Sequence, residues 1–127
     1  MNEGEHEAGL AATPNYRYAD VVGDELFVAG QVPHDAGGTL VGLADPAEQA
    51  RACLRNLDTL VQHHGFARSD IHRLTIYVVG PHQHLVDAWV AVTEHFDQNV
   101  PPATLLGVAM LGYVDQLVEI DAVVRRS

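Results

Sequence analysis

The sequence predicts an α+β domain: a mixed sheet with two helices packed on one of its faces. Three observations carry that prediction. Two segments repeat apolar residues at helical spacing, several short segments alternate at strand spacing, and 127 residues leave room for one core. With 47% hydrophobic and 19% charged residues, the chain has the composition of a packed globule. No repeat or low-complexity linker divides it, so residues 1–127 are read as one domain.

The elements follow in order. Met1–Glu7 carries three glutamates and no Lys or Arg, and residues 1–12 read as a flexible tail. That start is unlike a secretory signal, which opens on basic residues and continues apolar. Tyr16–Val22 reads as a strand, Gly23-Asp24 as a hairpin turn, and Glu25–Val32 as a second strand. Pro33–Gly42 is a loop with room for a short strand at Thr39–Val41. A helix then opens on Asp45 as N-cap and Pro46 at the first position, with Glu48 completing a capping-box pattern. Ala50, Cys53, Leu54, Leu57 and Val61 form its apolar stripe, and Gly65 closes it. Ile71–Val79 is a strand ended by Gly80-Pro81. Gln83–Asp97 is a helix with Leu85, Trp89, Val92 and Phe96 on one stripe. Ala103–Met110 and Leu117–Val124 are strands joined by a turn near Gly112.

Leu74, Ile76 and Val78 alternate with Thr75, Tyr77 and Val79, and the last strand is similarly apolar on both sides. Two helices cover only one face of a sheet. The other face therefore predicts self-association.

Charge narrows the function. The net charge is −10, and all seven cationic residues are scattered arginines apart from Arg125-Arg126. Nucleic acid, which needs a basic stripe, is not an expected partner. No apolar run is long enough to span a bilayer, so no membrane partner is expected. The single cysteine, Cys53, forms no internal disulfide and sits on a helix stripe, which reads as core and fits a cytoplasmic location. Eight histidines include His63-His64 and the pair His82 and His84, neither at the spacing of a helical zinc site. No metal and no cofactor are expected.

The element order, with Tyr16, Ala29–Gln31, the Gln49…Asn56-Leu57 helix, Pro102-Ala103 and Val118-Glu119-Ile120, resembles the RidA/YjgF family over about residues 16–125. The resemblance implies a chorismate-mutase-like fold and a homotrimer with an inner β-barrel and outer helices. It implies small-molecule clefts between subunits and hydrolysis of reactive imines or enamines. Carried over position by position, Tyr16 matches the site tyrosine, and Glu119 the acid that positions or activates water. Gly30 and Gln31 keep their motif and would present backbone N–H groups to the cleft, while Ala29 stands in place of serine. Thr104 stands where the family has a carboxylate-binding arginine, Leu106 in place of cysteine, and Trp89 near the place of an asparagine. Arginine offers a permanently charged fork, threonine one neutral hydrogen bond. The exchange costs an acidic ligand at least about tenfold in binding. The four departures together describe a cleft re-lined for a less polar ligand.

Each residue also has a plainer reading. Glu119, on the same strand face as Asp121, could be a solvated edge or an inter-subunit ion-pair partner, Tyr16 packing at a strand start, Gly30 a bend, and Trp89 helix core. Two functions follow: a hydrolase of an imine- or enamine-type metabolite other than the usual 2-imino acids, or a non-catalytic binding or regulatory trimer.

Overall fold

The computed structural model describes residues 2–13 and 15–127. Its elements are α1 (Glu3–Glu7), β1 (Ala19–Val22), β2 (Glu25–Val28), α2 (Pro46–His63), β3 (Ile71–Val79), α3 (His82–His95), β4 (Ala103–Val108) and β5 (Val118–Arg125). The strands form one sheet in the order β1-β2-β5-β3-β4. β3 and β4 run parallel and the other neighbours antiparallel, so the sheet is mixed. A parallel pair needs a crossover, and α3 supplies it.

α2 forms where its sequence signals place it. Asp45 Oδ1 accepts from the Glu48 N–H at 3.1 Å, and Pro46 occupies the first turn. The capping box is only half made. The Glu48 carboxylate pairs with Arg51 at 3.0 Å instead of turning back to Asp45, because an arginine three residues along offers a charged partner. Gly65 takes the left-handed backbone (φ +82°) that closes the helix. α2 and α3 cover one face of the sheet, burying Leu54, Leu57, Val92, Leu74, Ile76, Val78 and Ile120 in one core. Each such side chain contributes roughly 1.5–3 kcal/mol relative to exposure. Cys53 is fully buried there, its Sγ 3.6 Å from the Val118 carbonyl, and burial pushes its thiol well above the ordinary value.

Several boundaries differ from the sequence expectation, those of α3 and β5 by one or two residues. The first strand starts at Ala19 rather than Tyr16, and β2 ends at Val28 rather than Val32, where the Ala29 N–H turns back to the Tyr18 carbonyl. The short strand at Thr39–Val41 reduces to one bridge between His34 and Leu40. β4 stops at Val108.

The expected N-terminal tail is docked. Leu10 is fully buried against Tyr18 and Leu60, and Asn2 bonds Ala11 and Thr13 across the turn after α1. Glu5 meets His64 Nε2 at 2.7 Å with only 8% of its side chain exposed. One leucine anchors this segment, and a single apolar residue carries no periodicity that would reveal it.

The second sheet face is covered by no other element among the described residues. It is less apolar than the alternation suggested. Phe27 and Val123, paired across β2 and β5, are 56% and 50% exposed there. Beside them the face carries Arg73, Thr75, Thr104, Tyr77, Glu119 and Asp121, given the strand registers.

Candidate functional site

The open face is ordered in rows by strand register. One row runs Leu106, Tyr77, Glu119 across β4, β3 and β5, and the next runs Thr104, Thr75, Asp121. Glu119 lies at one end of its row, where the chain after β2 comes alongside.

That approach depends on a slip. Leu26 and Phe27 pair with Val124 and Val123, whereas Gln31 bridges Ile120, one residue out of step with that register. The interruption after Val28 acts as a bulge and reverses which side chains point where. Gly30 falls beside Glu119. A Cβ on Gly30 would overlap the carboxylate, meeting its Cδ at 2.8 Å, so any side chain there would displace the Glu119 carboxylate from this position.

Gln31 goes the other way. It is fully buried, its N–H donates to the Ile120 carbonyl at 2.7 Å, and its Nε2 donates to Ala29 O at 2.7 Å. The expectation that Gln31 presents a backbone N–H to the cleft is therefore corrected. That N–H is held in the ladder, and the slip turns the side chain toward the helices.

Glu119 is half-buried and held by the loop before β5. Buried Gln116 donates Nε2 to Glu119 Oε1 at 3.3 Å and to the Val118 carbonyl at 3.1 Å, while its own Oε1 accepts from the Tyr113 N–H at 3.2 Å. Oε2, the oxygen nearest Gly30, takes no hydrogen bond among the described residues. The start of β5 is itself fixed by Gln49 of α2. Gln49 Oε1 accepts from Leu117 and Val118, and Nε2 donates to the carbonyls of Gly42 and Asp115. One buried amide thus satisfies four backbone groups, two of them within two residues of the carboxylate.

Tyr16 and Tyr113 complete this corner. Tyr16 is 42% exposed and lies outside any strand. Burial, a hydrogen bond with Tyr113 and the nearby Tyr113 and Glu119 charges push its phenol up to about 12. At neutral pH it is a hydrogen-bond donor and not a base. The His34 ring stands edge-on to Tyr113 at 4.7 Å, and burial lowers its pKa, keeping it neutral. Asn56 holds the carbonyls of Val32 and His34 at 2.8 and 3.0 Å, fixing the segment that carries His34.

The other sequence candidates are not all brought here. Ala29 lies at the interruption itself. Leu106 shares the Glu119 row but stands beyond Tyr77. Trp89 packs on the core side of the sheet, away from Glu119. Thr104 lies two strands from β5 and two residues along, roughly 10 Å across and 7 Å down. There it accepts a hydrogen bond from Arg73 Nη2 at 2.6 Å. Tyr77, whose Oη donates to Asp121 Oδ2 at 3.0 Å, stands between the two groups. Sequence reasoning missed Arg73, Tyr77, Tyr113 and Gln116 as site residues. Alternation put Tyr77 on this face but could not supply its partner, and Arg73 shows its role only once β3 and β4 are aligned.

The family model described as endoribonuclease L-PSP matches residues 6–126, nearly the whole chain. The chain belongs to the RidA/YjgF family. A RutC family protein of Pyrococcus horikoshii is 28% identical over 108 residues, covering 85% of this chain and 84% of that one. The crystal structure of the E. coli YjgF gene product superposes with a TM-score of 0.83 at 26% identity, over 95% of each chain. That of E. coli TdcF with bound serine gives 0.81 at 26% identity, over 92% of each. Like these relatives, this RidA/YjgF chain is an α+β protein with a mixed sheet. No helix among the described residues is long and apolar enough to cross a membrane.

Proposed function

We propose that this RidA/YjgF protein hydrolyses a reactive imine or enamine-type small metabolite, with a specificity distinct from the usual 2-imino acids, in clefts completed by neighbouring copies of a homotrimer. The observation that carries this reading is the Glu119 carboxylate. One of its oxygens is held by Gln116 and the other stands over Gly30 without a hydrogen bond among the described residues. A carboxylate so placed accepts a proton from water as the water oxygen attacks the C=N carbon. That proton is passed to the nitrogen, the adduct's hydroxyl proton follows as the carbon–nitrogen bond breaks, and the nitrogen leaves as ammonia while the carbon keeps the oxygen as a carbonyl. Tyr16, protonated at neutral pH, suits donation to the substrate. The uncovered, partly apolar sheet face and the separation of Thr104 from Glu119 both support a cleft that draws on more than one copy.

The test is ammonia release from imines generated in solution by an amino-acid oxidase and from an imine without a carboxylate. The expected result is acceleration of at least one imine by the native protein and its loss in Glu119→Gln. Equal rates for native protein and Glu119→Gln overturn the hydrolase reading. A non-catalytic binding trimer is the second reading, favoured by Thr104 in the arginine position.

A further inference from the structure

We infer that Arg73 is an anion-binding residue of the cleft, docked on Thr104 and directed at a monoanionic carboxylate on the ligand. This rests on the reading of the open sheet face as the ligand face, and it restores a charge that position 104 lacks.

The first support is the state of Arg73 among the arginines. The chain has 17 acidic residues and seven arginines, so a carboxylate partner is easily found. Arg17, Arg51, Arg55, Arg68 and Arg125 each pair with one. Arg126 lies over the Phe66 ring and donates to the Gly65 carbonyl. Arg73 has no carboxylate at ion-pair distance among the described residues, although it lies on a face that carries Asp121 and Glu119. Asp121 is engaged by Tyr77, and Glu119 is held by Gln116.

The second support is geometry. A guanidinium has five N–H donors in a rigid plane, and the Thr104 contact uses one. The contact fixes the plane by its Nη2 corner and leaves donors free for a two-point grip on a carboxylate. Because the Thr104 oxygen accepts from Arg73, its own proton is available to the same anion. The pair therefore offers one positive charge and several directed donors, suited to a singly charged carboxylate. A doubly charged phosphate would find only one cation in a strongly acidic protein.

The third support is the strand of origin. Arg73 is rooted on β3 opposite Val123, four residues along from the Glu119 row and one row beyond Thr104, and its guanidinium reaches Thr104 from that side. The carboxylate it holds is accordingly placed differently from one gripped at position 104. The cleft remains one for an acid. This revises the expectation of a less polar ligand drawn from Thr104.

The test measures binding, so it stands apart from turnover. Pyruvate and methyl pyruvate share a carbon frame and differ in the charged group. Titration calorimetry or ligand-observed NMR on the native protein, Arg73→Gln and Arg73→Lys, with light scattering on each, separates the outcomes. The expected result is pyruvate affinity at least about tenfold weaker in Arg73→Gln and partly kept in Arg73→Lys, with methyl pyruvate changed less than about twofold. Pyruvate bound equally by native protein and Arg73→Gln overturns the inference, as does native protein that binds no pyruvate at millimolar concentration. Loss of assembly in Arg73→Gln with unchanged pyruvate affinity also overturns it and makes Arg73 a subunit contact. Arg73-dependent pyruvate binding without hydrolysis of any imine keeps the inference and removes the hydrolase reading.

Discussion

Two corners of the same sheet face are built on opposite principles. At the Glu119 corner a carboxylate is held on one oxygen by a buried amide and lies directly over a glycine. At the Arg73–Thr104 corner an exposed guanidinium rests on a single hydroxyl. The first is rigid and crowded, as a group must be that meets a reacting atom at a fixed distance. The second is tethered and open, as suits a group that meets the remote end of a ligand. On the proposed reading, chemistry at Glu119 and recognition at Arg73 are separable, because the two side chains stand on neighbouring strands four residues apart along the sheet.

The sharpest way to break that division is Glu119→Gln. Loss of a proton acceptor costs roughly 10²–10⁴ in kcat, while pyruvate affinity is expected to hold within about twofold. Gln49→Ala comes next, since it removes the amide that seats the start of β5. Four backbone groups lose their partner, and at roughly 1–3 kcal/mol for a buried unsatisfied group the loss is expected to exceed about 2 kcal/mol in denaturant unfolding. If stability barely changes, Glu119 is not positioned by α2. Thr104→Arg sharpens the other corner. From sequence alone it is an obvious restoration, but in the fold it sets a second guanidinium against Arg73. We expect less than a twofold gain in pyruvate affinity, and a tenfold gain would show that Arg73 contributes nothing there.

The smallest effect concerns pH. Tyr16, raised to about 12, is protonated throughout the working range. A raised folded value means that the stability it carries is present below the ordinary tyrosine pKa near 10 and is lost as pH rises through the folded value. Difference titration of phenolate absorbance against Tyr16→Phe should lose a step near 12, with no alkaline activity limb from Tyr16 below about pH 10. A missing step near 10 instead would place the phenol in open water.

Much of the scaffold was legible in the residues. Asp45, Pro46 and the Ala50–Val61 stripe define α2, and the alternation through Leu74–Val79 defines β3, because both signals are local. The docked α1 was not legible, since the single buried leucine that anchors it has no period. Gly30, Glu119 and Tyr16 were named from family resemblance, and the fold groups them. Gln31 was misplaced because motif adjacency implies a shared role, whereas a one-residue slip sends neighbours to opposite faces.

By itself the sequence determined the two covering helices, the main strands, the acidic charge and the absence of arginine at position 104. Those follow from spacing within a few residues. Only the tertiary structure decided that Arg73 reaches Thr104, that Tyr77 stands between the two corners, and that Gly30 lies under the carboxylate. Each depends on register between strands distant in sequence, which hydrogen bonds across the sheet set and no local pattern encodes. Position 104 lacks an arginine, and the sheet brings one to it from the neighbouring strand.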